Sequence, residues 1–118
     1  MQTQLTTIVL DCAAPGPLAD FYRSLTGWEV TYTDPDCVYL GNGGPIQLGF
    51  QRVEGYRAPG WPSPTKQAHL DLKVADLDPA VKEAVALGAA RPEFQPGGTE
   101  WVVLTDPEGH PFCLVAGE

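Results

Sequence analysis

The sequence predicts an α+β domain built from two βαβββ modules that pack through one curved sheet. Three observations predict it. Stretches of strict apolar/polar alternation read as half-buried strands. Two stretches with apolar residues at i, i+3, i+4 and i+7 read as helices. The two kinds of signal then recur in the same order in both halves of the 118-residue chain. One such module cannot bury its own apolar sheet face, so two must pair. The expected division of a single domain spanning 1–118 is a first module over 1–52, a connector over 53–65 and a second module over 66–118.

In the first half, TTIVLDC (6–12) sets Ile8, Leu10 and Cys12 against Thr7, Val9 and Asp11, a strand with Cys12 on its core side. After an APGP break, PLADFYRSL (17–25) places Leu18, Phe21, Tyr22 and Leu25 on one helical stripe. Pro17 suits the first helical position, where its missing N–H costs nothing, and Gly27 is the stop. WEVTY (28–32), CVYL (37–40) and IQLGFQR (46–52) read as strands, the last two joined by a GNGGP turn, with Trp28 read as core.

The second half opens on AHLDLKV (68–74), with Leu70, Leu72 and Val74 on one parity and His69, Asp71 and Lys73 on the other. Asp78-Pro79 reads as a cap followed by a first-turn proline, and Val81, Ala84, Val85 and Gly88 trace the helix, with Gly88 closing it. A weak strand is expected in AARPEF (89–94). WVVLT (101–105) and PFCLV (111–115) form a hairpin across Asp106-Pro107-Glu108-Gly109, where glycine takes the left-handed position. In this alignment Thr7 corresponds to His69 and Gln51 to Cys113. The connector VEGYRAPGWPSPT is too rich in proline for a helix, and its Tyr56 and Trp61 are unusual in a mere linker. A functional loop and a packed surface arm are equally open readings.

Composition excludes several classes. The net charge of −8, without a Lys/Arg cluster, disfavours nucleic acid and anionic membrane surfaces as partners. Cys12, Cys37 and Cys113 are odd in number and form no C-x-x-C pair, which argues for a reducing cytoplasm. The N-terminal MQTQLTTIVLDC has no basic segment followed by a long apolar run, so no signal peptide is expected. No stretch approaches transmembrane length.

Functional candidates come from the polar face of AHLDLKV. An imidazole beside a carboxylate titrates near neutrality, which general acid–base chemistry requires, so His69 and Asp71 are the expected catalytic pair. Each has a plainer reading: His69 as a half-buried histidine bonded to a backbone carbonyl, Asp71 and Lys73 as a weak rim ion pair. Trp101 shares parity with Val103 and Thr105, so it lines a cavity or covers a dimer seam. Cys113 reads as a cavity thiol or a small apolar filler, and His110 as a surface turn residue.

The stretches LADFYRSLTGWEV, AHLDLKVADLDPAVKEAVALGA and WVVLTDPEGHPFCLV resemble the vicinal oxygen chelate superfamily, which includes glyoxalase, bleomycin-resistance and extradiol dioxygenase proteins, in its short glyoxalase-like branch. The resemblance implies a cupped, mostly antiparallel sheet with helices on its outer face, a ligand cavity inside, and a homodimer. By that geometry His69, Asp71 and Lys73 face the cup, and Thr7, Asp11, Tyr39, Gln47, Gln51, Tyr56, Trp61, Trp101 and Cys113 are the expected ligand-binding residues. Metal-dependent relatives put one ligand on the first and last strand of each module. Those positions are Thr7, Gln51 (Gly49 if the register slips), His69 and Cys113. Only His69 is a typical ligand, and one good ligand does not hold an ion. A His/Cys zinc site stays open but lacks a third and fourth donor, so no metal and no cofactor are expected.

Two functions follow from these readings. The first is a metal-free protein that sequesters a small organic molecule by stacking on Trp61, Trp101, Tyr39 or Tyr56; the acidic surface suits a basic aromatic ligand. The second is a lyase, isomerase or epimerase that uses His69 as its acid/base, with or without a divalent metal.

Overall fold

The structure, a computed structural model, describes residues 1–117. They form two compact units, Met1–Arg57 and a second that begins at Ala58, so the division falls inside the connector. Among the described residues there are seven strands and two helices, an α+β arrangement with one sheet per unit.

In the first unit, β1 (Thr7–Cys12) lies beside β4 (Gln47–Arg52), followed by β3 (Cys37–Gly41) and the edge strand β2 (Glu29–Asp34). β1 and β4 are parallel and the other pairs antiparallel. Helix α1 (Pro15–Thr26) packs on β3 and β4. It opens at Pro15, two residues before the expected proline, because an N-terminal proline sacrifices only an N–H that has no helical partner. Gly27 ends it at φ 76, a left-handed conformation that costs glycine nothing. The expected stripe forms the core: Leu18, Phe21 and Tyr22 are buried, and Tyr22 stacks on Phe50 with ring centroids 5.2 Å apart. Cys12 is fully buried on the same side, as its parity requires. β2 is exposed along its whole length, and Trp28 before it is half-buried rather than core.

In the second unit the order is β5 (Leu70–Val74), β7 (Pro111–Ala116), β6 (Trp101–Thr105). Helix α2 (Leu77–Leu87) contacts β6 and β7 and buries Val81 and Ala84, while Val85 stays 45% exposed. The helix starts before the expected Asp78-Pro79 cap: Asp76 is the N-cap residue and Asp78 lies in the first turn. There its charge favours the positive helix end. Gly88 closes the helix as expected.

The strand expected in 89–94 is reduced to a single bridge between Ala90 and Thr105. Pro92 offers no N–H to a ladder, and Gln95 does the pairing with its side chain instead. Its Oε1 accepts from the Val103 N–H at 2.9 Å, and its Nε2 donates to the Val103 carbonyl at 2.8 Å and to the Pro92 carbonyl at 2.9 Å. One amide side chain thus replaces a strand along β6. Gln95→Ala strands both Val103 groups and is expected to cost about 1–3 kcal/mol in urea unfolding, with the largest loss of amide-exchange protection at Val103.

The β6–β7 hairpin forms as expected, with Gly109 at φ 88. Its turn is held by Asp106, only 3% exposed, whose carboxylate accepts from the Glu108 and His110 N–H groups at 2.8 and 3.1 Å. His110 is not a surface residue: its Nδ1 stands 2.7 Å from Asp106 Oδ2 and its side chain is 12% exposed. Among the described residues, no helix is long and apolar enough to cross a membrane.

Candidate functional site

The register of the second sheet builds the site. Asp71 pairs with Cys113, which pairs on its other side with Val103, while Val115 pairs with Lys73 and Trp101, and Pro111 with Thr105. Successive strand residues point to opposite faces. Asp71, Trp101, Val103, Pro111, Cys113 and Val115 therefore share one face, with His69 just before β5 on the same side. Val102, Leu104, Phe112 and Leu114 fill the other face and are buried. The alternation read in AHLDLKV thus continues across the hairpin of WVVLT and PFCLV as a two-sided sheet.

Over the first face lies a cavity of about 450 Å³, a volume suited to a small organic molecule. Its floor is Val103, Pro111, Cys113 and Val115, and its aromatic walls are Trp101 and Trp61. Trp101 can lie flat because Gly97 stands behind it: a Cβ there would come within 2.6 Å of the indole ring. Trp61 arrives from the connector, whose second half belongs to this unit. Its Nε1 donates to the Phe94 carbonyl at 3.0 Å, its ring stacks on Phe94 at 6.1 Å between centroids, and Lys66 Nζ stands 5.2 Å from the ring centroid. Three anchors on one side chain make Trp61 a wall rather than a linker residue.

The polar groups gather together. His69 Nε2 is 3.2 Å from Asp71 Oδ1, so Asp71 pairs with the histidine and not with Lys73. Cys113 lies beside Asp71. Burial, then the Asp71 charge and the hydrogen bond to it, push the Cys113 thiol up to about 11, with the Lys66 ammonium pulling the other way. The thiol therefore keeps its proton at neutral pH and is no nucleophile there. A thiol raised from its ordinary 9.0 binds its proton more tightly in the folded chain. Its stabilising effect is full below the unfolded value and falls as pH rises toward the folded one. Two outcomes follow: Cys113 resists iodoacetamide at neutral pH until the protein is unfolded, and Cys113→Ser loses less stability than the parent between about pH 9 and 11. Mass-mapped alkylation and urea unfolding at the two pH values check them.

The remaining sequence candidates stand in the first unit. Thr7 pairs with Gln47, Asp11 with Gln51 and Tyr39 with Gly49, so all five named side chains share one face of that sheet. Gln47 Oε1 accepts a short hydrogen bond from Thr31 Oγ1, and Tyr39 lies over Gly49, where a Cβ would come within 2.8 Å of its ring. Tyr56 is half-buried beyond β4, its N–H bonded to the Val53 carbonyl at 3.2 Å. Sequence reasoning missed Val103 and Val115, although they share parity with Trp101 and Cys113. It also missed Lys66, Phe94 and Gly97, for which no periodic signal exists.

The register also tests the ligand positions carried over for a divalent ion. Ile8 pairs with Leu48 and Leu70 with Phe112, so with Thr7 set against His69 the counterpart of Cys113 is Gly49, not Gln51. Glycine has no side-chain donor, and threonine is a poor one. The four-position set does not fit an ion. The second unit alone, however, brings His69, Asp71 and Cys113 together, with one ligating atom from each all within 4.8 Å of one another. Asp71 is the third donor that the sequence reading lacked.

Comparisons with known proteins agree with this architecture. A family model described as a glyoxalase-like domain matches residues 7–115. No curated protein sequence matches the chain. Among solved structures, a glyoxalase/bleomycin resistance protein/dioxygenase family enzyme from Burkholderia phytofirmans PsJN superimposes with a TM-score of 0.74 at 21% identity, over 95% of this chain and 97% of its own. The fosfomycin resistance protein FosX of Listeria monocytogenes, complexed with Mn(II) and dihydroxypropylphosphonic acid, gives 0.73 at 17% identity, over 100% and 93%. The bleomycin-binding protein of Streptomyces verticillus, complexed with copper(II)-bleomycin, gives 0.63 at 19% identity, over 100% and 99%. At these identities the likeness is one of fold.

Proposed function

The chain belongs to the glyoxalase-like domain family, and on that premise we propose that its second unit binds a small organic molecule in the cavity over β5, β7 and β6. The observation that carries the proposal is that two tryptophans and an apolar floor enclose a space of about 450 Å³, with His69, Asp71 and Cys113 clustered at it. Flat apolar bodies gain from stacking on indole, and a few convergent polar groups fix their orientation. The ligand is a ring-bearing molecule with one polar end, held and released unchanged. The bleomycin complex of the Streptomyces verticillus protein supports a sequestering role of this kind. Its setting is the cytoplasm and its form a homodimer; three free cysteines suit the first and the family resemblance suits the second.

A second reading rests on the 3.2 Å approach of His69 Nε2 to Asp71 Oδ1. A carboxylate within hydrogen-bond reach orients an imidazole, which is the arrangement of an acid/base pair. It supports proton transfer to and from a bound molecule, as a lyase, isomerase or epimerase requires.

Tryptophan emission separates these outcomes. A panel of flat aromatic compounds with one polar substituent should include members that quench emission saturably. Trp101→Ala and His69→Ala should each weaken binding by about tenfold, or 1.4 kcal/mol, with an unchanged far-UV circular dichroism spectrum. Ligand recovered unaltered supports sequestration, and ligand recovered as product at repeated turnover supports the enzyme. Quenching that is identical in wild type, Trp101→Ala and Trp61→Phe would place the ligand elsewhere.

A further inference from the structure

We infer that the molecule bound in the second unit is an aromatic anion, with its ring on Trp101 and its acidic group against the ammonium of Lys66. Lys66 then sets the charge class of the ligand. The inference rests on the cavity reading above and names the polar end that reading leaves open.

Lys66 lies between Trp61 and β5, and it is half-buried. Its Nζ stands 5.2 Å from the centroid of the Trp61 ring, which walls the cavity. Among the described residues no carboxylate forms an ion pair with it, although the chain has 15 Asp and Glu; Arg23 and Arg52 each find an aspartate. A half-buried ammonium has shed part of its water, and an indole face returns only part of that loss. A full charge with three N–H donors thus stands beside the cavity with bonding capacity to spare. Its field reaches the floor, where it opposes the upward push of burial and Asp71 on the Cys113 thiol.

The other charges near the cavity give a cationic ligand no comparable place. Asp71 already faces His69, with Nε2 and Oδ1 3.2 Å apart, and its side chain is 63% exposed, so solvent screens it. Lys73 shares the parity of Asp71, but its stem lies so close to Gly117 that a Cβ there would meet its Cγ, and it does not line the cavity. The net charge of −8 slows the approach of an anion, but it acts at long range and salt screens it. Contact with one partly desolvated ammonium acts at short range and governs release. A carboxylate there gains a charge-assisted hydrogen bond while its ring keeps the stack on Trp101. Sulfonates and phosphonates share this chemistry.

Calorimetric titration with three probes that share one ring system tests the assignment: 2-naphthoate, 2-naphthalenemethanol and 2-naphthylmethylammonium, each added to the full-length protein at neutral pH and low salt. Naphthoate should bind about tenfold tighter than either of the others, and added salt should weaken it most. Lys66→Met, which keeps the apolar stem, should cost naphthoate about tenfold and the alcohol less than about twofold, and Lys66→Arg should restore the preference. Equal affinities, tighter binding of the ammonium probe, or a naphthoate preference that survives Lys66→Met would overturn the assignment. The cavity reading is decided separately, because it stands if Trp101→Ala weakens all three probes, whatever their order. Binding of none of the three would remove both.

Discussion

Asp106→Ala is expected to destabilise the second unit by about 3–5 kcal/mol, since it takes the buried acceptor away from the Glu108 and His110 N–H groups and the His110 ring, each at about 1–3 kcal/mol. The carboxylate is almost fully buried and receives the backbone N–H groups of Glu108 and His110 together with the His110 ring. Those bonds hold the turn that sets β6 against β7. That register in turn places Val103 beside Cys113 and Trp101 beside Val115 on the cavity floor. The variant should therefore lose ligand binding along with stability. His110→Ala should cost less, because the carboxylate keeps its backbone donors. Urea unfolding of both variants measures the difference, and equal losses would mean that the turn's backbone bonds contribute little.

Phe50→Ala is expected to cost about 3–5 kcal/mol in the first unit, the usual range for deleting a large aromatic side chain from a packed core. Phe50 is fully buried, lies in β4 between Leu10 of β1 and Val38 of β3, and stacks against Tyr22 of α1 at an interplanar angle of 17°. Tyr22 in turn meets Phe21 edge-on at 5.0 Å. The cavity left behind thus opens at the joint between helix and sheet, where three aromatic rings determine the packing. Phe50→Leu keeps most of the apolar volume and should retain more than half of the lost stability. Calorimetry on the two variants is the check.

The sequence carried the features that depend on period. Alternation marked β1 and β5, and the Asp106–Gly109 turn marked the β6–β7 hairpin, each to within one or two residues, while the helical stripe marked Leu18, Phe21 and Tyr22 as core. Glycines at 27, 88 and 109 marked two helix ends and a turn, because each adopts a backbone conformation that disfavours a side chain. Interactions between a side chain and a distant backbone group have no period and stayed hidden. Gln95 completing β6 in place of a strand is one example, and the His110 ring resting on Asp106 is another. The same holds for the candidate site. Parity put His69, Asp71 and Cys113 on the cavity-facing sides of their strands. Only the strand register shows that Asp71 and Cys113 stand abreast, and that Gly49 rather than Gln51 is the counterpart of Cys113.

The central claim is that the cavity of the second unit is where a small organic molecule binds. Two-dimensional ¹⁵N–¹H NMR of the labelled protein, titrated with an aromatic compound that quenches tryptophan emission, tests it directly. The largest shift changes are expected on the amides of Asp71, Val103, Cys113 and Val115 and on the indole N–H groups of Trp61 and Trp101. Shift changes centred on the first unit, for instance around Tyr32 and Tyr39, with the second unit silent, would contradict it.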